Sequence, residues 1–320
     1  MAELAPFGIE PEISPRPWGF CDLRPWYDRV AEGEPIGEMW LTGDNCLIAT
    51  GPHAGKRLAT LFAEAHDALL GDDAPSADSP LLIKTIFARE KLSVQVHPDD
   101  KMAQKYGFRR GKTECWYVLA AEPGAAVALG VKPGTTIAQI EKEIHAGTLE
   151  GSLNAVPVAA GDMIFVDAGT IHAIWPGPIL LETQQNCDLT YRMFDYGRGR
   201  ELHIAKSLEA TKLTTRAGKI APRKIADRSV LIDVEYFRVE RVPVDGSRSS
   251  ASLRGGEKPG LAYLFAAAGS GRLTGVGFEP VELLARGIVA VPAVSPEFVL
   301  EDLGAGDKLD LIRITPNWPK

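Results

Sequence analysis

The chain has 320 residues, 45% of them hydrophobic, and a formal net charge of −7. That length allows one large domain or two of ordinary size with real cores, and the acidity argues against nucleic acid as the main partner. No run approaches the ~20 apolar residues of a membrane-spanning helix, so no membrane role is expected.

The first residues, Met1 to Ile13, carry acidic groups and no sustained apolar core, unlike a secretory signal. Four cysteines, Cys21, Cys46, Cys115 and Cys187, lack CxxC spacing and are too sparse for a disulfide framework, which points to reduced thiols in a cytoplasm. With 32 glycines and 23 prolines, the chain suits many short strands joined by turns. Leu58, Leu61, Phe62, Ala65 and Leu69 recur at helical spacing, which predicts a helix over Leu58 to Leu70 stopped by Gly71, with His66 on its surface. A polar loop from Gly71 to Pro80 then leads into a strand from Leu81 to Phe87. A short helix is expected from Asp99 to Tyr106, ending at Gly107.

Thr136 and Gln139 read as a capping box for a further helix with Ile137, Ile140 and Ile144 on one face. Gly147 stops it, and His145 sits at its end, where a solvated or cationic group is favoured. Arg198 to Arg228, with Arg216, Lys219, Arg223 and Lys224, is basic and of a kind that binds phosphate, but it reads more readily as a solvated helix and linker. From Val230 to Ile314 short apolar runs again alternate with Gly and Pro turns, as in a second β domain.

Gln95-Val96-His97, then Glu114, then His172 read together as one metal site. Residues i and i+2 of a strand share a face, so Gln95 and His97 reach one ion. A lone Gln-x-His is more often a polar strand face, but His172 closes a Gly-rich unit: Gly161-Asp162 opens a turn, Met163 to Val166 is an apolar strand, and Ala168-Gly169 turns again. This unit resembles the second signature of a cupin barrel, with Asp167 where proline is usual. Two imidazoles, a carboxylate and a carboxamide suit Zn2+ or another first-row divalent ion, with positions left for substrate.

Arg286 to Ala293 can be laid over Gly161 to Ala168, which puts Glu297 in the place of His172. All six histidines lie at or before His203, so the metal chemistry is expected in the first half. The expected architecture is mainly β: two cupin (jelly-roll-like) β-barrels with a few inserted helices. Residues 1–203 would be the catalytic cupin, 204–229 a helix and linker, and 230–320 a degenerate cupin without metal.

Six separated blocks carry a closer resemblance. They are Pro17-Trp18-Gly19, Ile36 to Trp40, Leu92 to Asp99, Gly111 to Trp116, Gly169 to Ala173 and Gln184 to Arg192. In this order they resemble the type I mannose-6-phosphate isomerases, especially the short bacterial form, over most of the chain. The resemblance implies a zinc-dependent aldose-ketose isomerase acting on mannose 6-phosphate and fructose 6-phosphate. It also implies one Zn2+ per chain held by Gln95, His97, Glu114 and His172, catalytic positions at Lys112, Asp188 and Arg192, and a monomer or homodimer. Gly111 departs from enterobacterial relatives, which carry histidine there.

Enediol chemistry moves a proton between adjacent carbons and collects negative charge on O1 and O2. Glu114 is the only charged ligand, so a bound ion keeps net positive charge. Arg192 suits stabilisation of those oxygens. Lys112 becomes a proton shuttle if desolvation and the nearby ion lower its pKa, and Asp188 either takes a proton or pairs with Arg192. Glu182 is a further base, Ser93 shares the face of Gln95 and can meet the substrate phosphate, and Trp18 walls the pocket or is simply buried. Lys84, Arg89 and Lys91 lie near in sequence and read equally as solvated. The alternatives are a metal-dependent cupin dioxygenase and a non-catalytic cupin that binds sugar phosphate.

Overall fold

The computed structural model describes residues 4–71, 74, 77–304 and 307–318. The centre of the Gly71 to Pro80 loop, Met1 to Glu3 and the last two residues lie outside the described set. As expected, the protein is mainly β, with its strands in four sheets of eight, seven, five and four.

Alternation along the strands explains how these sheets stack. In the seven-stranded sheet, Cys115, Tyr117, Leu81, Ile83 and Leu181 turn one way and join Leu231, Tyr263, Phe265 and Ile312 of the eight-stranded sheet. Their sequence neighbours Trp116, Val118, Ile86 and Leu180 turn the other way and meet Val127, Leu129 and Ile174 of the five-stranded sheet. The eight-stranded sheet likewise uses Val242, Leu264 and Val289 to cover Leu273, Leu283 and Leu300 of the four-stranded sheet. The result is four layers with three apolar interiors. Each of the two expected jelly-roll-like units is a pair of facing sheets, and none of the four sheets closes on itself among the described residues. Two facing sheets bury the same alternating faces as a barrel does.

The two halves are also stitched by pairing. Phe7–Glu10 pairs with Ile288–Val291 and with Leu47–Ile48, so N-terminal strands complete the eight-stranded sheet. The basic connection holds a helix, Ile204–Ala210, and two strands: Gly218–Ile220 joins the seven-stranded sheet and Arg223–Ile225 the eight-stranded one. Inside the second sandwich, the buried carboxylate of Glu240 accepts from Arg313 at 2.6 Å and Arg238 at 2.7 Å. Glu297 is exposed and accepts from Ser250 Oγ and Arg254 Nη2.

The helices follow their sequence signals. Leu58–Leu70 buries Leu58, Leu61, Phe62, Leu69 and Leu70 between the layers and ends at Gly71. Asp100–Lys105 is capped by Asp99, whose side chain accepts from Met102 N. Ile137–Ala146 is capped by Thr136 and ends at Gly147 in the left-handed conformation. Gln139 does not close the capping box: its amide donates to Glu143 instead.

Phe265 is fully buried in the interior shared by the two large sheets. Phe265→Ala is expected to cost about 3–5 kcal/mol in urea unfolding. A loss under about 1 kcal/mol would mean that the sheets do not share a packed core.

Candidate active site

Three adjacent strands of the five-stranded sheet, His172–Ile174, Val94–Val96 and Tyr191–Phe194, align His172 with Gln95 and Gln95 with Arg192. One row across the sheet therefore carries an imidazole, a carboxamide and a guanidinium. His97 follows the central strand, and its carbonyl accepts from Gly169 N at 2.9 Å. Gly169 has φ +94°, a value that favours glycine, and it makes the turn that presents His172. Asp167 earns its place in that turn: its carboxylate accepts from Thr170 Oγ at 2.9 Å and from Arg216 N at 3.0 Å, bonds that proline has no side chain to make.

The facing sheet supplies the opposite wall. The positions that alternate toward it place Glu114 on Glu114–Ala121, Glu182 on Pro178–Gln185 and Lys84 on Leu81–Phe87, with Glu182 directly opposite Lys84.

His97 Nε2 lies 3.5 Å from Glu114 Oε2, and His172 Nε2 lies 3.5 Å from Glu114 Oε1. Ligand atoms of the three residues all fall within 4.8 Å of one another, and all three are buried. Each imidazole fixes its other nitrogen on a backbone carbonyl, His97 Nδ1 on Leu189 at 3.0 Å and His172 Nδ1 on Thr170 at 2.9 Å. A proton on Nδ1 leaves Nε2 as a lone pair aimed at Glu114, the usual second-sphere arrangement of a metal-bound histidine. Burial holds both imidazoles below their ordinary range, His172 at about 4, so both stay neutral.

Burial, reinforced by Glu182, pushes Glu114 up to about 7 although Lys112 Nζ is 3.0 Å from its Oε2. His97 Nε2 and Glu114 Oε1 are buried without a hydrogen-bond partner, and Glu114 Oε2 has the Lys112 ammonium beside it. Buried polar atoms left open this way are costly unless something takes them up. Gln95 Nε2 lies 3.2 Å from His172 Nε2, and a half-turn of the amide puts its oxygen there. These residues fit a divalent metal ion.

Beside this group, reaching it through Gln95 and Lys112, lies a cavity of about 440 Å³ also lined by Trp18, Glu38, Lys84, Ser93, Glu182, Asp188, Arg192 and others. Every expected catalytic and substrate-binding residue therefore meets in one place. Trp18 is both cavity wall and buried core residue. Ser93 Oγ donates to Gln95 Oε1 at 3.3 Å. Glu182 accepts from Trp116 Nε1 at 2.9 Å and lies 3.1 Å from Lys84 Nζ. Asp188 lines the cavity and is exposed, and among the described residues no ion pair joins it to Arg192.

Burial works to lower the Lys112 ammonium, as anticipated, while without an ion's charge Glu114 and Glu182 hold the group above its ordinary value. Lys84 is not solvated: it is buried between Glu182 and Glu38, which lies 3.5 Å away. Glu38 was missed, as were Arg16 and Arg200 in the cavity wall. A lysine inside the apolar run Leu81 to Phe87 was the available signal, since such a charge is buried only with partners. Gly111 also has a local reason: a Cβ there would stand 2.5 Å from the backbone of Pro98 and Asp99, leaving no room for histidine.

Residues 22–130 match the family model of the phosphomannose isomerase type I catalytic domain. The chain is 33% identical over 299 residues to a mannose-6-phosphate isomerase of Streptococcus mutans serotype c, covering 88% of this chain and 90% of that protein. It is 31% identical over 313 residues to a probable mannose-6-phosphate isomerase of Bacillus subtilis, covering 92% and 96%. The crystal structure of a mannose 6-phosphate isomerase from Bacillus subtilis is similar with a TM-score of 0.84 and 28% identity, covering 97% of this chain and 99% of that one.

Lys84 compensates two buried carboxylates at once. Lys84→Met is expected to destabilise the protein by about 3–5 kcal/mol in urea unfolding, because Glu38 and Glu182 lose their shared cation. Restoring most of that loss with Glu182→Gln in the same chain would confirm the cause, and a single variant as stable as the parent would contradict it.

Proposed function

The chain belongs to the type I phosphomannose isomerases, and from that premise we propose that it interconverts mannose 6-phosphate and fructose 6-phosphate in the cavity between its seven- and five-stranded sheets. The observation that carries this reading is the meeting of His97, Glu114 and His172 from separate strands, with Gln95 and Arg192 in one register row beside them. We assign Gln95, His97, Glu114 and His172 to one Zn2+ per chain, a choice supported by two neutral imidazoles and a single charged ligand. When bound, the ion supplies a positive charge that polarises the sugar carbonyl.

The side chains do the rest. Arg192 sits one strand from Gln95, so its fixed fork is placed to hold the substrate oxygens on which negative charge collects. Lys112, whose ammonium lies 3.0 Å from Glu114 and 3.8 Å from Glu182, donates a proton to a substrate oxygen. Glu182 is tied by Trp116 and Lys84, whereas Asp188 has no ion pair among the described residues. Asp188 is therefore the carboxylate better placed to move the carbon-bound proton. Ser93, beside Gln95, and Trp18 position the sugar.

A cupin dioxygenase has no use for Lys112, Asp188 and Arg192 lining the same cavity, and a purely binding cupin has no use for an ordered metal group beneath it. Residues 1–203 are read as the catalytic part, 204–229 as the connection and 230–320 as a support without metal. The four cysteines are all free, which supports a cytoplasmic setting.

A coupled assay on mannose 6-phosphate tests the activity. His97→Ala and His172→Ala are each expected to abolish bound metal and turnover together, measured by elemental analysis and rate. Metal content at the parent level in both would overturn the ligand assignment. Arg192→Ala is expected to lower turnover by about 10²-fold while metal content and melting temperature hold. Near-parent turnover would move the oxyanion role to another group.

A further inference from the structure

Charge along the cavity is unevenly compensated. On its inner side Lys84 lies between Glu38 and Glu182, and Lys112 lies against Glu114. Toward solvent, the guanidinium groups of Arg16, Arg192 and Arg200 line the same cavity. The Arg16 and Arg200 side chains are 29% and 27% exposed, against 4% for Lys112 and 1% for Glu114, so the two arginines mark the rim and the metal group the floor.

Both rim arginines are braced from behind. Arg16 Nη2 donates to Glu38 at 2.9 Å, while Arg200 donates from Nε at 2.7 Å and from Nη2 at 2.5 Å to the buried carboxylate of Asp195. A guanidinium carries five N–H donors, so each keeps several beyond those its carboxylate takes. Arg192 has only the carbonyl of Glu201 for its Nη1, its Nε is buried without a partner, and no carboxylate pairs with it among the described residues. Burial, and after it the charges of Arg200 and Arg16, lower the Arg192 pKa, as expected where three cations converge. In an acidic chain, such a convergence beside a cavity is relieved by an anion.

We propose that Arg200 and Arg16 form the subsite for the phosphate monoester of the substrate, at the rim of the cavity. This deepens the isomerase reading above and rests on it. The carbonyl end of a hexose 6-phosphate and its phosphate lie at opposite ends of the carbon chain. With the carbonyl over the Gln95 and Lys112 floor, the phosphate reaches outward, and a rim site spares the dianion full desolvation. Two planar forks held by Asp195 and Glu38 present N–H groups in a fixed direction, which suits phosphate oxygens better than a mobile ammonium. Ser93, bonded to Gln95 at the metal end, is left for the sugar hydroxyls.

The test compares the parent with Arg200→Gln, Arg200→Lys and Arg16→Gln, measuring kcat and KM for mannose 6-phosphate and the inhibition constant of inorganic phosphate. Arg200→Gln is expected to raise KM and the phosphate inhibition constant together by roughly 10- to 100-fold, mostly sparing kcat, with Arg200→Lys in between and Arg16→Gln in the same direction. A folded Arg200→Gln with both constants at the parent level would overturn the subsite. Because Asp195 is buried, a variant at Arg200 can fail to fold, so a second measurement uses the parent protein alone. Inorganic phosphate is expected to protect Arg200 and Arg16 from phenylglyoxal, read by peptide mass mapping, and indifference of both would overturn the proposal. Protection of both in a protein that does not turn over mannose 6-phosphate would sustain the anion subsite and defeat the isomerase reading instead.

Discussion

The seven-stranded sheet has two interiors to serve, and the two-residue alternation of its strands divides the work between them. Along Glu114–Ala121, Cys115 and Tyr117 face the second half of the molecule, while Trp116 packs toward the five-stranded sheet and Glu114 turns to the two imidazoles that sheet carries. The same division runs along Leu81–Phe87, where Ile83 packs between the halves and Lys84 enters the site. A shift of one residue in either pairing would exchange these sets, putting charges into the apolar interior and apolar groups into the cavity. Stability and chemistry are thus written into alternate positions of the same strands. The second sandwich, which fixes the register by packing against the odd positions, matters to the site without contributing a ligand.

Within the cavity the governing cost is that of burying charge. Glu38, Glu114 and Glu182 are all nearly excluded from water, and each is answered by a lysine or arginine within 3.5 Å. Such networks add little net stability, since desolvation offsets most of the attraction. What they supply is fixed geometry: Trp116 and Lys84 hold Glu182, and backbone carbonyls hold both imidazoles. Groups already oriented and already dry need little reorganisation when charge develops on a substrate. The unfilled atoms of His97 and Glu114 are the place where this compensation is incomplete, and they are also where the donor chemistry asks for a cation.

Much of this was legible in the sequence, because the informative signals were local. Gln95 and His97 lie two apart on a strand, the glycine turn before His172 is contiguous, and helix stops such as Gly71 and Gly147 act at their own positions. What stayed hidden depends on long-range pairing. Arg192 stands beside Gln95 only because their strands pair, and Lys84 is compensated by carboxylates on two other strands. Lys84 stayed open between a phosphate contact and a solvated residue because charge alone says nothing about neighbours, although its place inside an apolar run argued for burial. Glu38 carried the same cue inside Ile36 to Trp40, Arg200 lay in a basic run read chiefly as solvated, and Arg16 had no cue of its own.

The central claim is that the two buried imidazoles and Glu114 share one metal ion through the nitrogen atoms that their backbone contacts leave free. Anomalous diffraction from crystals of the purified protein, collected on both sides of the zinc absorption edge, tests it most directly. The expected result is a single zinc peak at about 2.0–2.2 Å from His97 Nε2, His172 Nε2 and a Glu114 oxygen. A zinc peak elsewhere in the molecule, or one bound through Nδ1 of either histidine, would contradict the account.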